Sequence, residues 1–163
     1  MGRFEEWLAL AEKGDPNAQY ELGWVFAEGD GVDADLGTAL HWWRLAANSG
    51  HADSQNDLGR AYAQGAGVEQ DYGMAVAWWT KAAENGNRKA QFSLAHAYSR
   101  GDGVEKDSVL AIHWWLKSAE GGYPKAQYAL GQAYAKGEGV ERSLAQATYW
   151  LQMAADHGNN GDD

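Results

Sequence analysis

The chain repeats itself every 36 residues, and that period limits what it can fold into more than any other property. Leu22-Gly23 returns as Leu58-Gly59, Leu94-Ala95 and Leu130-Gly131, and Gly31-Val32 returns as Gly67-Val68, Gly103-Val104 and Gly139-Val140. Trp42, Trp78, Trp114 and Trp150 share one repeat position. Trp43, Trp79 and Trp115 share the next, where Leu151 breaks the series. Each unit closes on Ala47, Ala83, Ala119 or Ala155, followed by Gly50, Gly86, Gly122 or Gly158. One step back from Trp43 and Gly50 lie Trp7 and Gly14, so the array is a half-repeat over 3–14 and full repeats over 15–50, 51–86, 87–122 and 123–158.

Within a repeat, Ala18, Leu22 and Val25-Phe26 recur at helical spacing, Gly29-Asp30-Gly31 interrupts them, and Ala39, Trp42-Trp43 and Ala46-Ala47 resume it. Each repeat is therefore two helices. Helix A falls near 16–28 and helix B near 35–49 in the first repeat, about nine helices in all. Asp35, Asp71, Asp107 and Ser143 stand where helix B begins, and their oxygens can accept from the free N–H groups of its first turn. Gly29 and its counterparts suit a left-handed cap after helix A. Gly23, Gly59 and Gly131 lie inside helix A and cost about 1 kcal/mol each relative to alanine, a cost tolerated where the absent side chain lets helix B come close. One hairpin is too small to bury its aromatic face, so neighbours must stack into an all-α solenoid. The polar residues 159–163 form a tail that frays.

Composition excludes several classes. A formal charge of −10, from 23 acids and 13 bases, repels a phosphate backbone, so nucleic acid is not an expected partner. With no cysteine there are no disulfides, thiolate metal sites or cysteine nucleophiles. No apolar run is long enough to span a bilayer and no leader pattern opens the chain, so membrane insertion is not expected and the cytoplasm is the expected compartment. Met1-Gly2 opens as a myristoylation signal does, but Glu6 stands where that signal wants Ser or Thr.

Nor does the pattern build an active site. No Ser/His/Asp set stands apart from the repeat. His41 and His113 share a helix-B position two repeats apart, about 20 Å if helices pack at 8–10 Å, too far to share a metal. The Gly-x-Gly turns follow no strand, and an aspartate at the helix start would repel phosphate. Neither cofactor nor metal is expected. Tryptophan pairs can stack on sugars or cations, but a regular aromatic stripe more often fills an interior. The first tryptophan of each pair is expected in the core and the second between repeats.

The run Ala126-Gln127-Tyr128 to Leu130-Gly131, then Tyr134, Gly137-x-Gly139-Val140, Ala147, Trp150 and Ala154-Ala155, resembles the Sel1-like repeat, a relative of the tetratricopeptide repeat. The resemblance covers residues 3–158. It implies a right-handed superhelix whose A helices line a concave surface, and an adaptor that binds a protein or peptide. Some relatives with a cysteine pair in every repeat are associated with penicillin binding or β-lactam hydrolysis, which implies a cell-wall or β-lactam-active enzyme as an alternative. This chain lacks those cysteines. A second alternative is an inhibitory or immunity-type protein whose acidity masks a basic toxin or enzyme.

On the concave positions that the resemblance implies, the repeats differ. The series are Asn17/Asp53/Lys89/Lys125, Tyr20/Asn56/Phe92/Tyr128, Glu21/Asp57/Ser93/Ala129, Trp24/Arg60/His96/Gln132 and Glu28/Gln64/Arg100/Lys136. Repeats one and two offer Glu21, Glu28, Asp53 and Asp57 with one base, Arg60. Repeats three and four offer Lys89, Arg100, Lys125 and Lys136 with no acid. Such polarity would orient a peptide, with Tyr20, Trp24, Phe92 and Tyr128 as anchors. Either end of the array could mediate stacking, with a monomer favoured.

Overall fold

A computed structural model describes residues 2–159, all helices and turns, in two compact units, 1–85 and 86–159. The first holds α1 (Arg3–Glu12), α2 (Pro16–Glu28), α3 (Leu36–Asn48), α4 (Ala52–Gln64) and α5 (Tyr72–Glu84). The second holds α6 (Arg88–Arg100), α7 (Ser108–Glu120), α8 (Pro124–Lys136) and α9 (Leu144–Asn159). Helices A and B of each repeat pair as α2·α3, α4·α5, α6·α7 and α8·α9, and within the units α1 packs on α2, α3 on α4 and α7 on α8. Asn159, expected in the polar tail, instead closes α9, and 160–163 lie outside the described residues.

The helix boundaries follow local chemistry. Asp35 accepts from the Thr38 N–H at 3.2 Å, Asp71 from Met74 at 3.0 Å, Asp107 from Leu110 at 3.0 Å and Ser143 from Gln146 at 3.2 Å. Helix A is capped less uniformly, by Asp15, by His51 through Nδ1 and by Asn87. At its other end the chain turns on Gly29, Gly65, Gly101 and Gly137, with φ of 75°, 68°, 76° and 74°, conformations that would strain any residue bearing a Cβ.

The core is built from one leucine per repeat, Leu22, Leu58, Leu94 and Leu130, all fully buried, with alanines around them. The two tryptophan positions depart from the sequence expectation in one respect: the second, not the first, is the more deeply buried. Trp43 and Trp79, second of their pairs, are buried against Gly23 and Gly59, where an added methyl group would strike the indole, and Trp43 also packs with Leu58 and Ala61 of the next repeat, as expected of that position. The first position reaches the preceding repeat. Half-buried Trp42 packs on the cluster of Ala11, Ala18 and Leu22, and Trp78 on that of Ala39, Leu40 and Leu58. Lys81 and Lys117 lie over the rings of Trp78 and Trp114 at 4.7 and 5.3 Å. Trp150, at the first position, is buried in the cluster with Ala119, Tyr123, Ala126 and Leu130.

A glutamine ladder ties repeats together. Gln19, Gln55 and Gln127, one residue after the buried Ala18, Ser54 and Ala126 of helix A, donate Nε2 to the carbonyls of Ala11, Ala47 and Ala119 in the preceding helix B at 3.0–3.1 Å. The Gln127 Oε1 is left to accept from His157 Nδ1 at 2.9 Å, which fixes that ring's tautomer. In the half-repeat, Phe4, Trp7 and Leu8 pack on the cluster of Ala11, Ala18 and Leu22, with Phe4 edge-on to Phe26 at 6.2 Å.

Candidate functional site

Helix-A residues at i, i+3, i+7 and i+11 share one face, and in the second unit that spacing lays out two similar rows. Lys89, Phe92, His96 and Arg100 form the row on α6, and Lys125, Tyr128, Gln132 and Lys136 the row on α8. A cation ends each row and an aromatic ring sits inside it. The two rows meet over an open cavity of about 660 Å³ lined by Phe92, His96, Lys125, Tyr128 and Gln132 from the expected set. Pro124, Ala129, Leu151, Ala154 and Ala155 complete its wall. Tyr128 is 54% exposed and its hydroxyl accepts from Gln132 Nε2 at 2.9 Å. Lys89, Arg100, Lys125 and Lys136 are exposed, and none of them has an ion-pair partner among the described residues.

His96 is held between the rings of Phe92 and Trp115, at 4.5 and 5.6 Å between centroids. Burial, reinforced by the Arg100 charge, holds its imidazole below the usual histidine range, so it is neutral near pH 7. Its Nδ1 is shielded from solvent and makes no hydrogen bond.

The same positions in the first unit are brought together too, but they satisfy one another. The Tyr20 hydroxyl donates to Asp57 Oδ2 at 3.0 Å, and Arg60 pairs with Asp57 Oδ1 at 3.1 Å. Arg60 lies over Trp24 at 6.0 Å, and Trp24 stands edge-on to Trp43 at 5.2 Å. Asp57 is therefore not the open acid that its variability suggests, being only 6% exposed. The cavity here is about 150 Å³, lined by Trp24, Trp43, Asp57 and Arg60 among others. Glu28 and Asp53 are exposed, while Tyr20, Glu21, Trp24 and Asn56 are half-buried. Thus the first unit fills its helix-A face with its own side chains and the second leaves a hollow.

Pro124, Leu151, Ala154 and Ala155 were not expected at the site. The signal for them is the break in the second tryptophan series. Where Trp43 and Trp79 cover a helix-A glycine, Gly131 meets the smaller Leu151.

Charge is divided as unevenly as volume. Residues 1–85 carry five Lys or Arg against fourteen Asp or Glu, whereas residues 86–159 carry eight against seven. Among the described residues no group of three or more metal-ligating side chains stands together, and no helix is long and apolar enough to cross a membrane.

Hairpins in tandem, interchangeable cores and a variable helix-A face define a helical-repeat scaffold. The chain belongs to the Sel1 repeat family, whose model matches residues 16–51, 52–87, 88–123 and 124–159, four consecutive copies. Such repeats typically serve protein interaction.

Solved structures agree. The chain is 38% identical to c5321, a protective antigen present in uropathogenic Escherichia coli strains with an SLR fold, at a TM-score of 0.93 over 98% of this chain and 34% of that one. It is 33% identical to a Sel1 repeat protein from Oxalobacter formigenes, at a TM-score of 0.87 over 96% of this chain and 62% of that one. The chain thus spans less than two thirds of either relative. The immunity protein Pa5087 from Pseudomonas aeruginosa shares the fold at 16% identity and a TM-score of 0.56, over 98% of this chain and 75% of that one. A comparison with curated proteins finds no match.

Proposed function

We propose that this chain is a non-catalytic scaffold that binds a protein or peptide through the helix-A face, with no cofactor. The observation that carries the reading is the open cavity of the second unit, about 660 Å³ and bordered by positions at which the repeats differ. Positions that merely hold a solenoid together are repeated and buried, as Leu22, Leu58, Leu94 and Leu130 are. The rows on α6 and α8 are instead varied and largely open. Aromatic rings beside unpaired cations are the residue types that supply binding energy and register at interfaces.

Exchanging Lys89, Arg100, Lys125 and Lys136 together for glutamate tests this. Partners captured by the parent chain and identified by mass spectrometry should be lost by the variant, whose melting temperature stays close to the parent's because all four side chains are exposed. Unchanged affinity in the variant contradicts the reading.

The acid excess over residues 1–85 favours a second reading, an immunity-type protein that masks a basic toxin or enzyme. It is separated from the first by which unit the partner needs. Neutralising Glu28 and Asp53 should then release the partner, and the lysine and arginine exchanges should not. For the hydrolase reading no residue argues, since the cysteine pairs of the relatives that suggested it are absent.

A further inference from the structure

A smaller cavity lies off the helix-A rows, where the turn of repeat four rests on the start of α7. It measures about 230 Å³ and is lined by Ser99, Lys106, Ser108, Ala111, Trp115 and Glu138. Its wall comes from α6, α7 and the turns that follow α6 and α8, so both repeats that bound it are in place. Two repeats earlier the same six positions are Ala27, Ala34, Leu36, Ala39, Trp43 and Ala66, all apolar. Ser99 stands where every other repeat has alanine, and Ser108 where the others have leucine or tyrosine. The polar lining is particular to this junction and is not a property of the repeat.

A side chain at Gly139, where φ is 72°, would strike the Ser108 carbonyl, so the turn that carries Glu138 is seated directly on α7. The Ser99 hydroxyl donates to the His96 carbonyl at 2.9 Å and keeps its lone pairs for an incoming donor. The Ser108 hydroxyl and the side chains of Lys106 and Glu138 have no hydrogen-bond or ion-pair partner among the described residues. One cation and one anion thus border the same cavity without pairing, beside two hydroxyls and an indole.

We infer that this cavity binds a small zwitterion of the α-amino-acid kind, its carboxylate meeting Lys106, its ammonium meeting Glu138 and its body resting on Ala111 and Trp115. A simple anion is repelled by Glu138 and a simple cation by Lys106, whereas a ligand carrying both charges gains from each. Ser99 adds an acceptor for the ammonium, and Ser108 a donor for the carboxylate. Drug-sized ligands occupy roughly 300–1,000 Å³, so a space of about 230 Å³ selects a smaller one. The site goes beyond the scaffold reading and shares no residue with the rows on α6 and α8.

The test titrates the full chain with L-leucine and follows it by NMR. Two analogues are compared, N-acetyl-L-leucine, which lacks the ammonium, and L-leucinamide, which lacks the carboxylate. Leucine should give saturable shifts at the amides of Ser99, Lys106, Ser108 and Glu138 and at the Trp115 indole, and each analogue should bind about tenfold more weakly or worse. Lys106→Gln and Glu138→Gln, at exposed positions, should each lower leucine affinity by about tenfold without moving the melting temperature. Ser99→Ala with Ser108→Leu, which restores the residues of repeat one, should keep or raise the melting temperature and abolish the shifts.

No saturable shift with leucine, equal binding of either analogue, or undiminished binding by the Ser99→Ala, Ser108→Leu variant would each overturn the inference. The scaffold reading falls separately, since its test exchanges Lys89, Arg100, Lys125 and Lys136, none of which lines this cavity.

Discussion

The indole of Trp43 occupies the space that a side chain on Gly23 would need, and its Nε1 donates to the Tyr20 carbonyl at 3.2 Å, one turn of α2 away. A residue that weakens a helix by propensity is thus what allows the largest side chain of the hairpin to be buried. Gly23→Ala should destabilise the chain by about 1–3 kcal/mol in denaturant unfolding, because the overpacking cost exceeds the gain in helix propensity. Gly131→Ala should cost less, since the group it meets is the flexible Leu151 side chain at 2.8 Å. Equal losses at both positions would contradict the indole as the cause.

Asp57 holds two partners at once, and its removal strands the half-buried Tyr20 hydroxyl and leaves the exposed Arg60 without its ion pair. Asp57→Ala should cost about 1–3 kcal/mol by thermal or urea unfolding, the range for stranding a hydrogen-bonding group. Tyr20→Phe, which removes only one hydroxyl, should cost about 0.5–1.5 kcal/mol. The two losses should be less than additive in the double variant, because they share one hydrogen bond.

Burial pushes the Tyr20 phenol above its ordinary value, and the Asp57 carboxylate adds to the push. The folded chain therefore keeps a proton that the unfolded chain releases above about pH 10, so this contribution to stability is whole below that pH and lost as pH rises through the folded value. Absorbance titration at the phenolate band should show one tyrosine ionising later than the rest, and Tyr20→Phe should remove it.

For His96 the sign is opposite. Its folded value is depressed, so its contribution is present above about pH 6.5 and lost as pH falls through the folded value. The imidazole resonances should titrate below the usual histidine range in NMR, and Arg100→Gln should move the midpoint upward by removing the neighbouring charge. A midpoint that does not respond to Arg100 would leave burial as the whole cause.

Much of this architecture is legible in the sequence because a 36-residue period fixes which residues must be equivalent. Helix limits near 16–28 and 35–49 agree with Pro16–Glu28 and Leu36–Asn48, since glycine caps and aspartate N-caps act locally. The roles of Trp42 and Trp43 were not legible from period alone. Adjacent helical residues point about 100° apart, and only the partner helix decides which of them turns inward. The pairing of a small residue at 23, 59 and 95 with tryptophan at 43, 79 and 115 carried that information. The Gln19, Gln55 and Gln127 ladder was equally regular, but a glutamine beside a small core residue reads as surface until its carbonyl acceptor is seen.

At the site, varied positions of the second unit border the open cavity, whereas those of the first unit satisfy one another. Asp57 varies because its partners Tyr20 and Arg60 differ with it, not because it is open. The contribution of Leu151 was visible only as a broken series, and its meaning depends on the hollow beside it.

The central claim, that binding lies on the rows of α6 and α8, is tested most directly by mapping a bound partner on the chain by NMR. Amide and side-chain shifts should change at Phe92, His96, Lys125, Tyr128 and Gln132, while the helix-B residues His113 and Thr148 stay where they are. Changes confined to helix B, with the cavity residues unmoved, would contradict the account.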